Sequence, residues 1–164
     1  MKTLIALAAA LLFNLCAQAQ PKVYFTKEIS PEALVRIYKA LGKEAKGRVA
    51  VKISTGEAGG NNYLKPTLIR NLVDEVGGTI VECNTAYAGS RNTSEAHWKT
   101  IHEHGFDSIF AVDIMDEYGD IRIPVKDKKH IKYDIVGAHL ANYDFMINLA
   151  HFKGCLLYTS DAAD

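Results

Sequence analysis

The sequence has no excess of either charge. Lysine plus arginine and aspartate plus glutamate number 19 each, so the formal net charge at pH 7 is zero. Proteins that bind nucleic acid through a basic surface carry clustered positive charge, whereas the lysines here are scattered along the chain. We interpret the denser group Lys126–Lys129 as a solvated turn. We interpret the acidic stretch 113–120, which misses the calcium-loop spacing, in the same way. The composition therefore predicts no nucleic-acid partner.

The sequence also lacks an apolar run long enough to span a bilayer. Its main apolar segment, Leu4–Leu15, follows the positive Lys2 and precedes the small-x-small pattern Ala17–Ala19. This order is typical of a bacterial secretion signal. No twin arginine precedes the segment, which favours general secretion of an unfolded chain. We therefore predict that residues 1–19 are a signal peptide cleaved after Ala19, with export to the periplasm and no stable membrane anchor.

Cysteine is scarce, with three in the whole chain. Cys16 falls in the predicted signal segment and follows a large residue, where a lipoprotein signal has a small one. The tail Cys155–Asp164 back-translates to a sequence that resembles a transposon-end adapter of sequencing libraries. We therefore expect the tail to be a sequencing artefact and the natural chain to be truncated at or beside Gly154. Cys83 then remains alone in the exported domain, where we expect a buried strand thiol rather than a disulfide.

Strands and helices alternate in residues 20–154, which we predict to be the N-terminal part of one α/β domain. Apolar runs predict strands at 23–25, 48–54, 79–84, 108–113, 121–125, 131–136 and 145–150, the fifth and sixth as a hairpin. Helices are predicted from Pro31, from Pro66 and from Asn92, the last with a capping-box-like Glu95, and residues 137–142 are expected to form a short helix or turn. This alternation favours a mostly parallel, Rossmann-like three-layer α/β sheet, incomplete because the chain is truncated.

Three polar loops follow predicted strands, at residues 56–62, 84–91 and 151–154. Ligands of open α/β sheets lie beyond the carboxyl ends of the strands, so we expect a site where these loops meet. The first loop is glycine-rich but matches neither phosphate-binding signature, and its Glu57 would repel a phosphate unless a metal intervened. The second loop places Arg91 before a helix N-terminus, so a carboxylate or phosphate could bind there. Ordinary capping and turn chemistry accounts for this second loop equally well.

The histidines give weaker signals for a metal site. His102 and His104 do not form the H-E-x-x-H zinc motif. His97 and His104 share a helix face but lie about 10 Å apart, which is too far for one zinc ion. We expect surface or packing roles for these side chains, and His97, close to the second loop, is the better candidate for a functional one. His151 and Lys153 are two residues apart, so on an extended segment they point the same way.

The three loops carry separated motifs that resemble one family. The segments VAVKISTGEAGGNNYLKP, NTAYAGSRNT and INLAHFKG occur in the same order in the uncharacterised Fe–S-centre proteins, the domain of unknown function 362. The resemblance covers nearly all of residues 23–154. It implies a functional site with no assigned reaction. From it we predict the binding residues Glu57, Asn84, Tyr87 and Arg91 and the catalytic residues His97, His151 and Lys153.

The resemblance also bears on cofactors and function. Many members of the family continue into ferredoxin-type cysteine clusters that would hold [4Fe–4S] centres, and this sequence carries no such cluster. An ordinary secretion signal makes a cluster less expected, because Fe–S proteins are usually folded with their cluster before export. Three hypotheses follow. The protein is an enzyme acting on a small anionic or metal-bound substrate, a periplasmic module that binds a metal ion or small anion without turnover, or an Fe–S electron-transfer protein whose cluster ligands lie in a missing C-terminal part.

Overall fold

The computed structural model describes residues 21–151. The predictions for the signal segment 1–19, for Lys153 and for the tail 155–164 lie outside the described residues. No helix among the described residues is both long enough and apolar enough to cross a membrane.

The described chain contains three α-helices, one 3-10 helix and six strands. In chain order they are α1 (Pro31–Ala40), β1 (Val49–Lys52), α2 (Pro66–Val76), β2 (Gly78–Glu82), α3 (Ser94–Glu103), β3 (Val112–Ile114), β4 (Asp120–Pro124), β5 (Tyr133–Gly137), the 3-10 helix (Ala138–Asn142) and β6 (Phe145–Asn148). The predicted alternation of strands and helices is confirmed.

Four of the strands form a parallel sheet in the order β3-β2-β1-β6. In the register of β1, Val49 lies beside Gly78 of β2 and beside Phe145 of β6. The remaining strands, β4 and β5, pair antiparallel as a separate ribbon, which confirms the predicted hairpin. The α/β fold with a mostly parallel sheet is therefore confirmed, and all four parallel strands end at the same edge.

The two faces of the sheet are covered differently. Alternate side chains of a strand lie on opposite faces, and one set from β1, β2 and β3 packs against the α-helices. Val51 of this set contributes to a core with Ile69 of α2 and Ile101 of α3. The other set, which includes Ala50, packs under Leu140 of the 3-10 helix. The helices thus form one outer layer, and the segment around the 3-10 helix forms a thinner one.

The helix ends follow local sequence signals, with one correction. Ser30 caps α1 by accepting a hydrogen bond from the Ala33 amide, and α2 ends at Gly77, whose φ of 57° is left-handed. The predicted N-cap of α3, Asn92, is wrong. Thr93 has the extended N-cap backbone, and its hydroxyl accepts from the amide of Ala96 at 3.3 Å. The helix therefore starts one residue later than predicted.

Three strand predictions need correction. Residues 23–25 form no strand, and Val23 and Phe25 are 92% and 82% exposed. The strand predicted from 108 begins only at Val112, because the amides of Ile109 and Phe110 donate to the Phe106 carbonyl in a turn. The last strand is not fully buried: its residues alternate between half-buried and exposed, because β6 lies at the edge of the described sheet.

The acidic stretch 113–120 is more than the solvated turn that we predicted. Asp113 is mostly buried, and its two carboxylate oxygens lie 2.7 Å from His139 Nδ1 and from the Tyr143 hydroxyl, which donates to it. Burial and the hydrogen bond to Asp113 raise the pKa of Tyr143. Asp116 accepts hydrogen bonds from the backbone amide of Asn84. These contacts attach the 3-10 helix segment and the second polar loop to the end of β3.

Candidate functional site

The three polar loops come together at the carboxyl edge of the sheet. They line a cavity of about 630 Å³. Glu57 and Asn61 of the first loop, Tyr87 and Arg91 of the second and His151 of the third all contribute to its lining. Four of the seven predicted site residues thus meet at one cavity, as expected for an open α/β sheet. Their role in function stays a prediction.

Arg91 is the most deeply placed charged group of the cavity lining. Its side chain is only 2% exposed. Nε and one terminal nitrogen donate to Glu57 Oε1 at 3.2 and 2.7 Å, and the other terminal nitrogen donates to Glu82 Oε1 at 3.3 Å and to the Ser54 hydroxyl at 3.4 Å. Burial opposes the charged form, but the hydrogen bond with Glu57 and the charge of Glu82 raise the pKa of Arg91. The guanidinium is therefore fixed between two carboxylates.

Glu57 is the accessible partner of this ion pair. Its side chain is 51% exposed, and its second oxygen accepts from the Ser90 hydroxyl at 2.8 Å. Burial acts to raise the pKa of Glu57, but the hydrogen bonds from Arg91 and Ser90 hold it below the usual value. Gly56, the residue before Glu57, has a left-handed backbone with a φ of +84°. A Cβ there would lie 2.9 Å from Tyr63, so the turn and the packing both require glycine.

Glu82 is a residue that the sequence reasoning missed. It lies at the end of β2 with no exposed surface, and its Oε1 accepts from the Thr55 amide at 2.6 Å and from the Thr55 hydroxyl at 3.0 Å. The Lys52 ammonium lies 3.5 Å from its other oxygen. Burial acts to raise the pKa of Glu82, but the nearby His97 ring, the charge of Lys52 and the Thr55 amide lower it. An acidic residue in an otherwise apolar strand was the available signal, because such a residue must be paired when buried.

His97 and Asn84 are not part of the cavity lining, and Asn84 lines a separate cavity with Lys52 and Cys83. The His97 ring is fully buried, with Nδ1 3.2 Å from Asn84 Oδ1 and Nε2 3.2 Å from the Thr55 hydroxyl. Asn84 in turn donates to the Ser94 hydroxyl at 2.9 Å. In this arrangement the His97 ring contacts interior groups, and its contribution is to position the ends of β1 and β2. Its predicted catalytic role stays a prediction.

Three further side chains, His102, His104 and Cys83, are not part of the cavity lining. His104 stacks on Tyr63 with ring centroids 4.0 Å apart, and its Nδ1 lies 2.6 Å from the Thr55 carbonyl. His102 is on the surface beside Asp107. Within residues 21–151, no group of three or more histidine, cysteine or acidic side chains is placed to hold a metal ion. Cys83 is half-buried just beyond β2, where burial and the nearby Asp116 raise its pKa to about 11.

A family model for a domain of unknown function, DUF362, matches residues 49–160. The matched range begins at the first residue of β1 and contains the whole parallel sheet and all three loops of the cavity. It also includes the first part of the tail that we predict to be an artefact. No curated protein and no solved structure matches the chain significantly.

Proposed function

This chain belongs to the DUF362 family, and from that premise we propose that its cavity binds a small molecule or a metal ion and that the protein is an enzyme acting on that ligand. One observation carries the proposal. Three loops that are far apart in sequence converge on a cavity of about 630 Å³ at the carboxyl edge of a parallel sheet. This is the position at which open α/β sheets bind their ligands.

The polar groups of the cavity suit a chemical role. Glu57 offers an accessible carboxylate beside a buried guanidinium, and His151 adds an imidazole from a different loop. A carboxylate and an imidazole are the groups that most often transfer protons or ligate metal ions in enzymes. The buried side chains of Glu82 and His97 both contact the Thr55 hydroxyl and so fix the start of the first loop. Lys153, in the part of the chain that follows His151, is proposed to complete the site.

A binding protein without turnover is the alternative, and it would use the same cavity. We propose a periplasmic location for either role, based on the N-terminal sequence pattern. The two roles differ in what His151 does. If the protein is an enzyme, His151→Ala lowers turnover of a bound ligand while its affinity is kept. In a binding protein, the same variant changes affinity alone.

The test begins with ligand-observed NMR on the full chain. The probes are simple carboxylates, phosphates, amines and sugars, each with and without Mg²⁺ or Zn²⁺. Ala88 lines the cavity and is exposed, so Ala88→Trp should fill the cavity without disturbing the core. Lys46→Trp, on the loop that leads into β1, is the matched control. We expect at least one probe to bind to the wild-type chain and to Lys46→Trp but not to Ala88→Trp. If no probe shows this difference, the proposal is wrong.

The described residues do not fit an Fe–S centre. Cys83 is the only cysteine in residues 21–151, and its raised pKa keeps the thiol protonated, whereas cluster ligands are thiolates. No step of the proposed function therefore passes through a cluster. A colourless, iron-free preparation of the full-length protein, purified without oxygen, would rule out the electron-transfer hypothesis. Absorption near 400 nm together with bound iron, on the order of four atoms per chain, would instead support the electron-transfer hypothesis.

A further inference from the structure

We propose that the Glu57 carboxylate occupies the position of an anionic ligand at Arg91, and that a small carboxylate or phosphate displaces it on binding. The inference rests on the proposed function, since it takes the cavity to be a ligand site. It goes further by naming the ligand's charge and the group that it replaces. Three features of the described residues carry it.

The first feature is the charge around Arg91. The buried Glu82 contacts two cations, with Arg91 3.3 Å from one oxygen and Lys52 3.5 Å from the other. Its single negative charge is shared between them and neutralises Arg91 only in part. A buried cation requires a close counter-ion, because the interior solvates charge poorly. Glu57 supplies that second negative charge at 2.7 Å. An anionic ligand would supply it equally well.

The second feature is the contrast between the two carboxylates. Glu82 has no exposed surface and is held by a strand and by the Thr55 amide and hydroxyl. The Glu57 side chain is half-exposed, and its carboxylate accepts hydrogen bonds only from the side chains of Arg91 and Ser90. Its loop has left-handed backbone at Gly56 and at Gly59, and a Cβ at Gly59 would contact nothing within 4 Å. Glu82 is therefore the permanent partner of Arg91, and Glu57 is the exchangeable one.

The third feature is the geometry of the guanidinium. The edge formed by Nε and one terminal nitrogen donates to Glu57, and this edge is the one with which arginine binds carboxylates and phosphates in bidentate fashion. Arg91 and its partner Glu57 both line the cavity, so a ligand that displaces Glu57 from this edge would come from the cavity. A ligand oxygen that replaces Glu57 Oε1 would keep the hydrogen bonds of Arg91. The exchange then costs mainly the contact between Glu57 and Ser90.

The test compares two variants that remove the same charge. Glu57→Gln removes the exchangeable carboxylate. Glu44→Gln removes one from the exposed loop before β1, at the opposite edge of the sheet. The probes are inorganic phosphate and succinate, added to the full chain while the Nε–Hε signal of Arg91 is followed by NMR. If the displaced state of Glu57 is populated at about 10% or less, its removal tightens anion binding about tenfold or more. Glu57→Ala is a second variant with the same expected gain.

The outcomes are distinct. Tighter phosphate or succinate binding in both Glu57 variants, with a shifted Arg91 signal and no gain in Glu44→Gln, supports the inference. If either Glu57 variant binds phosphate and succinate no more tightly than Glu44→Gln does, the inference is wrong. An unshifted Arg91 signal also overturns it. Loss of Mg²⁺ or Zn²⁺ binding in Glu57→Gln without any gain for anions also overturns it, because Glu57 would then be a cation ligand. The proposed function would survive these failures, since it depends on the separate comparison of Ala88→Trp with Lys46→Trp.

Discussion

Glu82 is the residue on which the buried polar network depends. Replacing it with glutamine keeps its size and an oxygen for the Thr55 amide, but it removes the charge that faces Lys52 and Arg91. Removing one partner of a buried ion pair costs on the order of 3 kcal/mol of unfolding free energy. We expect a loss of this size for Glu82→Gln in urea denaturation. Glu75→Gln, which breaks a surface pair with Lys39, should cost less than about 1 kcal/mol. Equal losses in the two variants would contradict this reading of the network.

The same residue predicts a pH dependence. The pKa of Glu82 is lower in the folded chain than its usual value of 4.5. A carboxylate with a lowered folded pKa adds stability above the unfolded pKa and loses it as the pH falls through the folded one. The wild-type chain should therefore lose more unfolding free energy than Glu82→Gln as the pH falls from about 5 into the acid range. Parallel pH curves for the two proteins would show that the pKa of Glu82 does not differ between the folded and the unfolded chain.

Cys83 gives a chemical prediction at the same scale. Burial and the charge of Asp116 raise its pKa to about 11, against an ordinary value of 9.0. Because the thiolate is the reactive form, a rise of two units lowers the reactive fraction about a hundredfold at neutral pH. Iodoacetamide should therefore label the Cys83 peptide far more slowly in the folded chain than in urea, as followed by mass spectrometry. Equal rates in the two conditions would show that Cys83 is freely accessible and not perturbed.

At the scale of elements, Thr93 is the N-cap of α3. Replacing an N-cap threonine with alanine removes the hydrogen bond to the Ala96 amide and costs about 1 kcal/mol. We expect Thr93→Ala to lower the unfolding free energy by about this amount. Asn92→Ala, one residue earlier and equally exposed, should change it by less than about 0.5 kcal/mol. A larger loss for Asn92→Ala than for Thr93→Ala, measured by urea denaturation, would show that Asn92 is the N-cap instead.

Local sequence signals predicted most of the elements but not all of their limits. Proline and glycine mark both ends of α2, and these limits depend on backbone chemistry alone. The apolar residues Ile109 and Phe110 favour a strand in the sequence, because a short apolar run has no period that separates a strand from a buried turn. The turn arises from the packing of Phe106 and Phe110 in the core, which is a tertiary effect. Val23–Phe25 form no strand although their residue types favour one. A strand also needs a neighbouring strand to pair with, which is again a tertiary effect.

At the scale of the whole molecule, the sheet topology determines where the cavity lies. The sequence could predict that three loops meet at one edge, because parallel strands bring their carboxyl ends together. It could not predict which side chains pair there. Arg91 and Glu57 are 34 residues apart, and an acid within a strand signals that Glu82 is paired but not which cations it pairs with. The position of the site thus follows from the order of the elements, whereas its ion pairs follow from three-dimensional packing.

Export is the prediction that concerns the whole chain. A positive residue, a short apolar segment and small residues at Ala17 and Ala19 direct a chain to general secretion and cleavage. Expressed in a bacterium with a periplasm, the protein should be recovered there with Gln20 as its first residue, as shown by N-terminal sequencing. Ala19→Arg should block this cleavage, because the peptidase requires a small residue there. Cys16→Ser should leave it unchanged. A mature chain that begins at Cys16 and carries lipid would show that the protein is anchored to the membrane, and a cytoplasmic chain that still begins at Met1 would show that it is not exported.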